Sequence, residues 1–306
     1  MRTAYLGTSD FAATVLRRLA ASDHAPALVV SPPDSRKGRG RKQGPPPVAS
    51  AARELGVALH QTPDVNAAGS REAISASGAE AVVVCAFGQL ISEPLLGAAG
   101  GILNVHPSLL PRWRGAAPIE RAMMAGDQLT GTTIMRLTEG LDSGPVSLVA
   151  EQPIASEDYF DDVAGRLAEA SGELLVRALD LRAAGELGFV EQDESRATYA
   201  EKISTEDRRL EPSKSAAELA WKVRALNPHI GTHIELRGGG RLGVRRAHAV
   251  ANGPAPGAIE ADDGEGLLVL GTRASGLALE VVQPPGKKAI PAAEFMRGYP
   301  VPSHAL

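Results

Sequence analysis

The chain has 306 residues, 43% of them hydrophobic and 22% charged, with 32 Lys/Arg against 36 Asp/Glu. That balance excludes global disorder, and the length allows one or two domains with sizeable cores. No run of about 18 apolar residues reads as a membrane helix and no apolar signal core follows the N-terminus; the single cysteine, Cys85, can form neither an internal disulfide nor a multi-cysteine zinc site, so a cytoplasmic protein without a membrane partner is expected.

In chain order, Thr3–Leu6 reads as a strand stopped by Gly7, and Thr8-Ser9-Asp10 caps a helix with Val15, Leu16 and Leu19 on its apolar stripe. Ala27–Val30 reads as a strand, 48-VASAAREL-55 as a helix, 81-AVVVCAF-87 as a strand and Gln89–Ala99 as a helical segment. A strand over Gly101–His106 and a helix over Ala116–Ala125 continue a rhythm that predicts an α/β, doubly wound, Rossmann-like sheet. Residues 131–150 read as two further strands around a Gly/Asp-rich link, and Asp158–Ala184 as a long helix. The polar, poorly periodic stretch 190–206 reads as a linker. It separates a domain over 1–189 from one over 207–306, where a helix (Ala216–Leu226) precedes short strand-like runs in the pattern of a small β-barrel. From Asp207 onward 13 Lys/Arg face 10 Asp/Glu, so this part is mildly basic while the rest is acidic.

Four stretches bear on chemistry. The first strand–helix turn, LGTSDF, lacks the G-x-G-x-x-G of a dinucleotide site. Asn104 and His106 share one face at the end of a strand, opposite Leu103 and Val105. An amide and an imidazole there could stabilise an oxyanion at the carboxyl end of an open sheet, or could simply satisfy a neighbouring loop. Asp142, in 139-EGLDSGP-145, could accept a proton or orient a histidine, or could only form a turn. Arg36, Lys37, Arg39, Arg41 and Lys42 follow one another uninterrupted by any acidic residue in a Gly/Pro-bounded loop, which suits a polyanion such as a nucleic-acid backbone or is simply solvated. Arg112, Trp113 and Arg114 fit either an anion-gripping rim or a packed Trp with solvated arginines, and Cys85 reads as a core residue.

The chain resembles the methionyl-tRNA formyltransferase family along essentially its whole length. The resemblance is carried by 7-GTSDFA-12, 32-PPDSRKGRGRK-42, 104-NVHPSLLPRWRGAAPIERAMMAGD-127, 131-GTTIMRLTEGLDSG-144, 198-TYAEKIS-204 and 286-GKKAI-290. It implies transfer of a formyl group from 10-formyltetrahydrofolate to methionine charged on initiator tRNA. By position, Asn104, His106 and Asp142 match the family's catalytic triplet, and Ser108, Leu109, Leu110 and Pro111 its folate-binding segment. The resemblance places the basic loop around Arg39 against the tRNA acceptor stem. It implies an OB-like C-terminal domain with a second tRNA surface, for which charge nominates Arg241, Arg245, Arg246, Lys287 and Lys288. Two positions depart from the family pattern: Ser9 where Pro is common, and His229 where an aromatic would follow Asn-Pro.

In the implied reaction the amine attacks the formyl carbon, Asn104 and His106 stabilise the oxyanion, and Asp142 supports His106 and helps take the amine proton. No metal is expected, because the leaving folate nitrogen can be protonated. A monomer is expected. The rival readings are the same chemistry on a sugar amine and a catalytically silent RNA-binding protein.

Overall fold

The computed structural model describes residues 1–37, 42–97 and 101–306. Arg39 and Arg41 lie outside the described residues. The elements of the first half are β1 (Thr3–Gly7), α1 (Asp10–Ala20), β2 (Pro26–Ser31), β3 (Ser35–Lys37), β4 (Lys42–Gly44), α2 (Pro47–Glu54), β5 (Leu59–Gln61), α3 (Ala68–Ala76), β6 (Ala81–Cys85), β7 (Leu103–His106) and β8 (Arg114–Gly115). There follow α4 (Pro118–Met124), β9 (Leu129–Arg136), β10 (Val146–Pro153), α5 (Phe160–Ala184), β11 (Tyr199–Ala200), α6 (Ala216–Leu226), β12 (Thr232–Glu235), β13 (Arg241–Val250), β14 (Ile259–Asp262), β15 (Leu267–Gly271), β16 (Gly276–Gln283), β17 (Ile290–Pro291) and α7 (Ala292–Gly298). They group into two compact units, one of residues 1–115, 129–153 and 164–199, the other of 116–128, 154–163 and 200–306.

The first unit is built on a seven-stranded sheet of order β10-β9-β7-β6-β1-β2-β5. The five strands from β7 to β5 are parallel, and β9 and β10 are antiparallel additions at one edge. Both faces are covered, and the alternation of side chains sorts the apolar residues between them. Tyr5, Val29, Val83, Leu103, Val105 and Ile134 pack on one side with Val15, Leu16 and Leu19 of α1 and Leu174, Leu175 and Leu179 of α5. Ala4, Leu6, Leu28, Val30, Val82 and Val84 pack on the other with Phe87, Ile91, Leu95 and Leu96. Each fully buried Leu contributes roughly 1.5–3 kcal/mol from burial. Ser9 caps α1 by accepting the Ala12 N–H at 3.2 Å, so the departure from Pro supplies a cap. The helix expected over Gln89–Ala99 is absent from its described part, where Glu93–Gly97 form turns. Pro94 has no N–H and disfavours helical backbone before it, and the Gln89 side chain is committed to Val65 N and Thr62 O. Cys85 is fully buried and its thiol is pushed up to about 12 by burial, which makes it an inert core group.

The second unit holds an antiparallel sheet of order β12-β13-β16-β15-β14, with β17 on β16. His304 and Ala305 bridge Ala258 and Leu236, so the tail links the outer strands' ends. Helix α6 starts at a capping box of Ser215 and Glu218 and packs Leu219 and Val223 on Val244, Leu268 and Leu279. The ring of His229 stacks on Phe160 at 3.7 Å while its Nε2 meets Glu120 at 3.2 Å.

Asp207 receives both arms of Arg121, at 2.8 and 3.0 Å, and two bonds from Ser204. Burial pushes its carboxyl up, but the Arg121 and Ser204 bonds outweigh this and hold it below the ordinary carboxylate value. A lowered folded-state value means stability that is fully present above about pH 4, the unfolded range, and is lost as pH falls through the folded value. Asp207→Asn is expected to cost roughly 1–3 kcal/mol at neutral pH and to flatten the fall of the urea midpoint between about pH 5 and 2. Parallel pH curves for variant and parent would refute it.

Candidate active site

Strand β7 lies between β6 and β9, so its carboxyl end opens where parallel and antiparallel pairing meet. Leu103 and Val105 join the first core, leaving Asn104 and His106 together on the other face, only 7% and 4% exposed. The link between β9 and β10 brings Asp142 to them. Asn104 Nδ2 donates to Asp142 Oδ1 at 3.3 Å, and His106 Nδ1 stands 3.6 Å from Oδ2. The Gly115 N–H donates to the same Oδ2 at 2.9 Å. On the far side of the ring, His106 Nε2 is 2.9 Å from the Trp113 carbonyl, which can only accept, so Nε2 carries the hydrogen. The three residues singled out from the sequence therefore form one linked cluster. One amide hydrogen of Asn104 is committed to Asp142; the other has no partner among the described residues.

The backbone around this cluster is strained. Ala86, just beyond β6, Trp113 and Asp142 have φ of 43°, 63° and 46°, a left-handed conformation that costs a residue with a Cβ about 1–3 kcal/mol. Gly144 is required beside Asp142, because any side chain there would strike the Arg136 carbonyl. Strain gathered at one end of a sheet marks a place where geometry is held for use.

The 108–111 segment is anchored to β9. Thr133 Oγ donates to the Ser108 carbonyl at 2.7 Å and accepts the Leu110 N–H at 3.3 Å, while Thr132 Oγ donates to the His106 carbonyl at 3.2 Å. The Ser108 hydroxyl is fully buried and donates to the Arg112 carbonyl at 2.7 Å, so it shapes the loop, whereas Leu109, Leu110 and Pro111 stay half-buried. Arg112 lies over the Trp113 ring at 4.4 Å. Arg114 is neither a rim nor solvated: its side chain is 2% exposed and forks onto Glu194, at 2.7 and 2.8 Å, and onto Gln192 Oε1, at 2.8 and 3.1 Å. The bond that Arg114 donates to Glu194 raises the guanidinium's pKa further, and Arg114 in turn lowers that of the Glu194 carboxyl. Gln192 and Glu194 lie in the stretch read as a linker, whose polar, aperiodic composition carried no signal for them.

The basic residues are scattered by comparison. Arg36, Lys37 and Lys42 belong to the paired strands β3 and β4. In the second unit Arg245 is tied to Asn227 Oδ1 at 3.1 Å and to Gln283, and its guanidinium passes over Gly231, whose φ of 84° favours glycine. Arg241 pairs with Glu235 at 3.1 Å and Arg246 with Glu280 at 3.5 Å. Lys287 and Lys288 are exposed, pair with no carboxylate among the described residues, and line an open cleft of about 320 Å³ with Arg297 and Tyr299. Among the described residues no group of three His, Cys, Asp or Glu side chains is placed to hold a metal ion, and no helix is long and apolar enough to cross a membrane.

Residues 1–179 match the model of the formyl transferase family and residues 202–300 that of the formyl transferase C-terminal domain. Sheet, β-module and matched segments together define a formyl transferase. Methionyl-tRNA formyltransferase of Methylobacillus flagellatus is 40% identical over 98% of this chain and 97% of its own. The protein of that name from Moorella thermoacetica is 40% identical over 100% of this chain and 99% of its own. The chain belongs to the methionyl-tRNA formyltransferase family. Among solved structures, HypX of Aquifex aeolicus, in complex with tetrahydrofolic acid, superposes with a TM-score of 0.67 at 18% identity, over 98% of this chain and 48% of that one, a likeness of fold.

Proposed function

We propose that this chain transfers the formyl group of 10-formyltetrahydrofolate to the amino group of methionine on initiator tRNA, as a cytoplasmic monomer serving translation initiation. The observation that carries this reading is the span of the likeness: relatives of that name match both parts of the chain almost end to end. The residues fit the donor, since an apolar, half-buried Leu109–Leu110–Pro111 segment follows the strand that carries a buried amide with one hydrogen that no described residue accepts. The donor supplies an activated formyl group whose nitrogen leaves protonated.

The chain's own groups do the rest. As the amine adds, the C–N bond to methionine forms and the bond to the folate nitrogen breaks, and negative charge gathers on the formyl oxygen. Asn104 donates its free amide hydrogen to that oxygen, and His106 adds a second donor when the Trp113 carbonyl gives way. Asp142 orients His106 and takes the amine proton, directly or through water, and a proton returns by the same route to the departing folate nitrogen. Its bonds from Asn104 and Gly115 hold the carboxylate in place for that transfer. Lys287, Lys288 and the basic loop around Arg39 contact tRNA phosphates, and Arg36, Lys37, Arg41, Lys42, Arg245 and Arg246 contribute further positive charge.

A radioformyl assay offering charged initiator tRNA and amino sugars tests the reading. Label is expected in the tRNA; label only in a sugar would overturn it. Arg39→Ala is expected to weaken apparent tRNA affinity and to reduce the log–log salt slope by about 1, with donor binding unchanged. An unaltered slope and affinity would remove Arg39 from the interface.

A further inference from the structure

We propose that Gln192, oriented by Arg114, is a positioning residue for the Asp142 carboxylate. This rests on the catalytic reading of Asp142 given above. Asp142 sits on a link between strands with left-handed backbone, so the regular ladder does not hold it. Gln192 does: its Nε2 donates to the main-chain carbonyls of Asp142 at 2.8 Å and Gly144 at 2.7 Å. Those two acceptors bracket the bend that turns the carboxylate toward Asn104 and His106.

The amide needs both of its ends. Its oxygen accepts from Arg114 Nε and Nη2, which leaves the nitrogen facing the loop. Arg114 is itself fixed, because its other edge forks onto Glu194 and its backbone N–H donates to the Thr198 carbonyl at 2.9 Å. The residues on either side of Arg114 reach the same cluster through their main chain. The Trp113 carbonyl accepts from His106, and the Gly115 N–H donates to Asp142 Oδ2. Asp142 is thus held twice from one short segment, at its carboxylate by the Gly115 backbone and at its own backbone by the Arg114–Gln192 relay. A small displacement of the carboxylate alters its contacts with Asn104 and His106 while leaving the surfaces that bind substrate intact.

Gln192→Glu isolates the relay. A carboxylate of nearly the same shape keeps the acceptor for Arg114 but turns a bare oxygen toward two carbonyl oxygens. The expected result is a fall in kcat of roughly 10–100-fold, with KM for charged tRNA and for donor within about twofold, and a displaced pH–rate profile. Glu191→Gln, at an exposed neighbouring position, is expected to stay within about twofold of the parent. Active folded enzyme is normalised by circular dichroism and a melting curve. Unchanged kcat in Gln192→Glu overturns the proposal, and so does a loss fully explained by a smaller folded fraction. Asp142→Asn measured alongside separates the two ideas. Full turnover in Asp142→Asn overturns the catalytic reading of the site, whereas a crippled Asp142→Asn beside an unaffected Gln192→Glu overturns the relay alone.

Discussion

Asp142→Asn is expected to lower kcat for formyl transfer by about 10²–10⁴-fold, with KM for donor and charged tRNA within about threefold. The substitution keeps shape and volume and still offers one oxygen to the Gly115 N–H, now at 2.9 Å from Oδ2. What it removes is charge and basicity. The second carboxylate oxygen becomes an NH₂ directed at the Asn104 amide, which donates to that position at 3.3 Å. Donor then faces donor, Asn104 is pushed out of register, and no group remains to take the amine proton. Because these losses fall on the reacting atoms and spare the binding surfaces, they appear in kcat. Steady-state kinetics with charged initiator tRNA check this, and turnover within a few-fold of the parent would remove Asp142 from the chemistry.

Much of this site could be read from the sequence because strand geometry is local. The alternation Leu103-Asn104-Val105-His106 puts the polar pair on one face by the period of two alone, and the sheet places it so. The alternating strands and helices of the first half likewise follow from periodicity, since every strand from Thr3 to His106 with an apolar run is buried on both faces. The short strands β3, β4 and β5 and the helix α3 were not legible, being three to nine residues long with weak or polar patterns. The helix expected at Gln89–Ala99 shows periodicity overruled by Pro94 and by side-chain bonds from Gln89. Arg114 is the sharper lesson. An arginine beside a tryptophan in a Gly/Pro-rich loop reads as surface, and only tertiary structure brings it Gln192 and Glu194 from some eighty residues away. Polar networks of this kind leave no periodic trace, because each member is chosen by partners distant in sequence. The segment boundaries show the same limit: residues 116–128 and 154–163 group with the second unit although they interrupt the first in sequence.

A pair of substitutions at Asn104 tests whether its contact with Asp142 is used. Asn104→Ala removes the amide donor, and a kcat loss of about 10²–10³-fold is expected, equivalent to about 2.7–4 kcal/mol of transition-state stabilisation. Asn104→Asp is expected to be worse at neutral and higher pH. It too loses the donor, and it sets a second carboxylate against Asp142 where the amide now donates to Oδ1 at 3.3 Å in a nearly closed site. Two carboxylates that close cannot both ionise at ordinary pH, so the pair holds one proton up to a raised apparent pKa. Below that value the shared proton relieves the repulsion and restores an O–H donor at position 104; above it, both are lost. The sign follows: as pH falls, Asn104→Asp gains on Asn104→Ala, and as pH rises it falls further behind. Measuring kcat for both variants from about pH 5.5 to 8.5 reads the effect as a converging ratio. Two parallel profiles would mean that the Asn104–Asp142 bond plays no part in turnover, and the oxyanion role of Asn104 would then have to stand on the Ala variant alone.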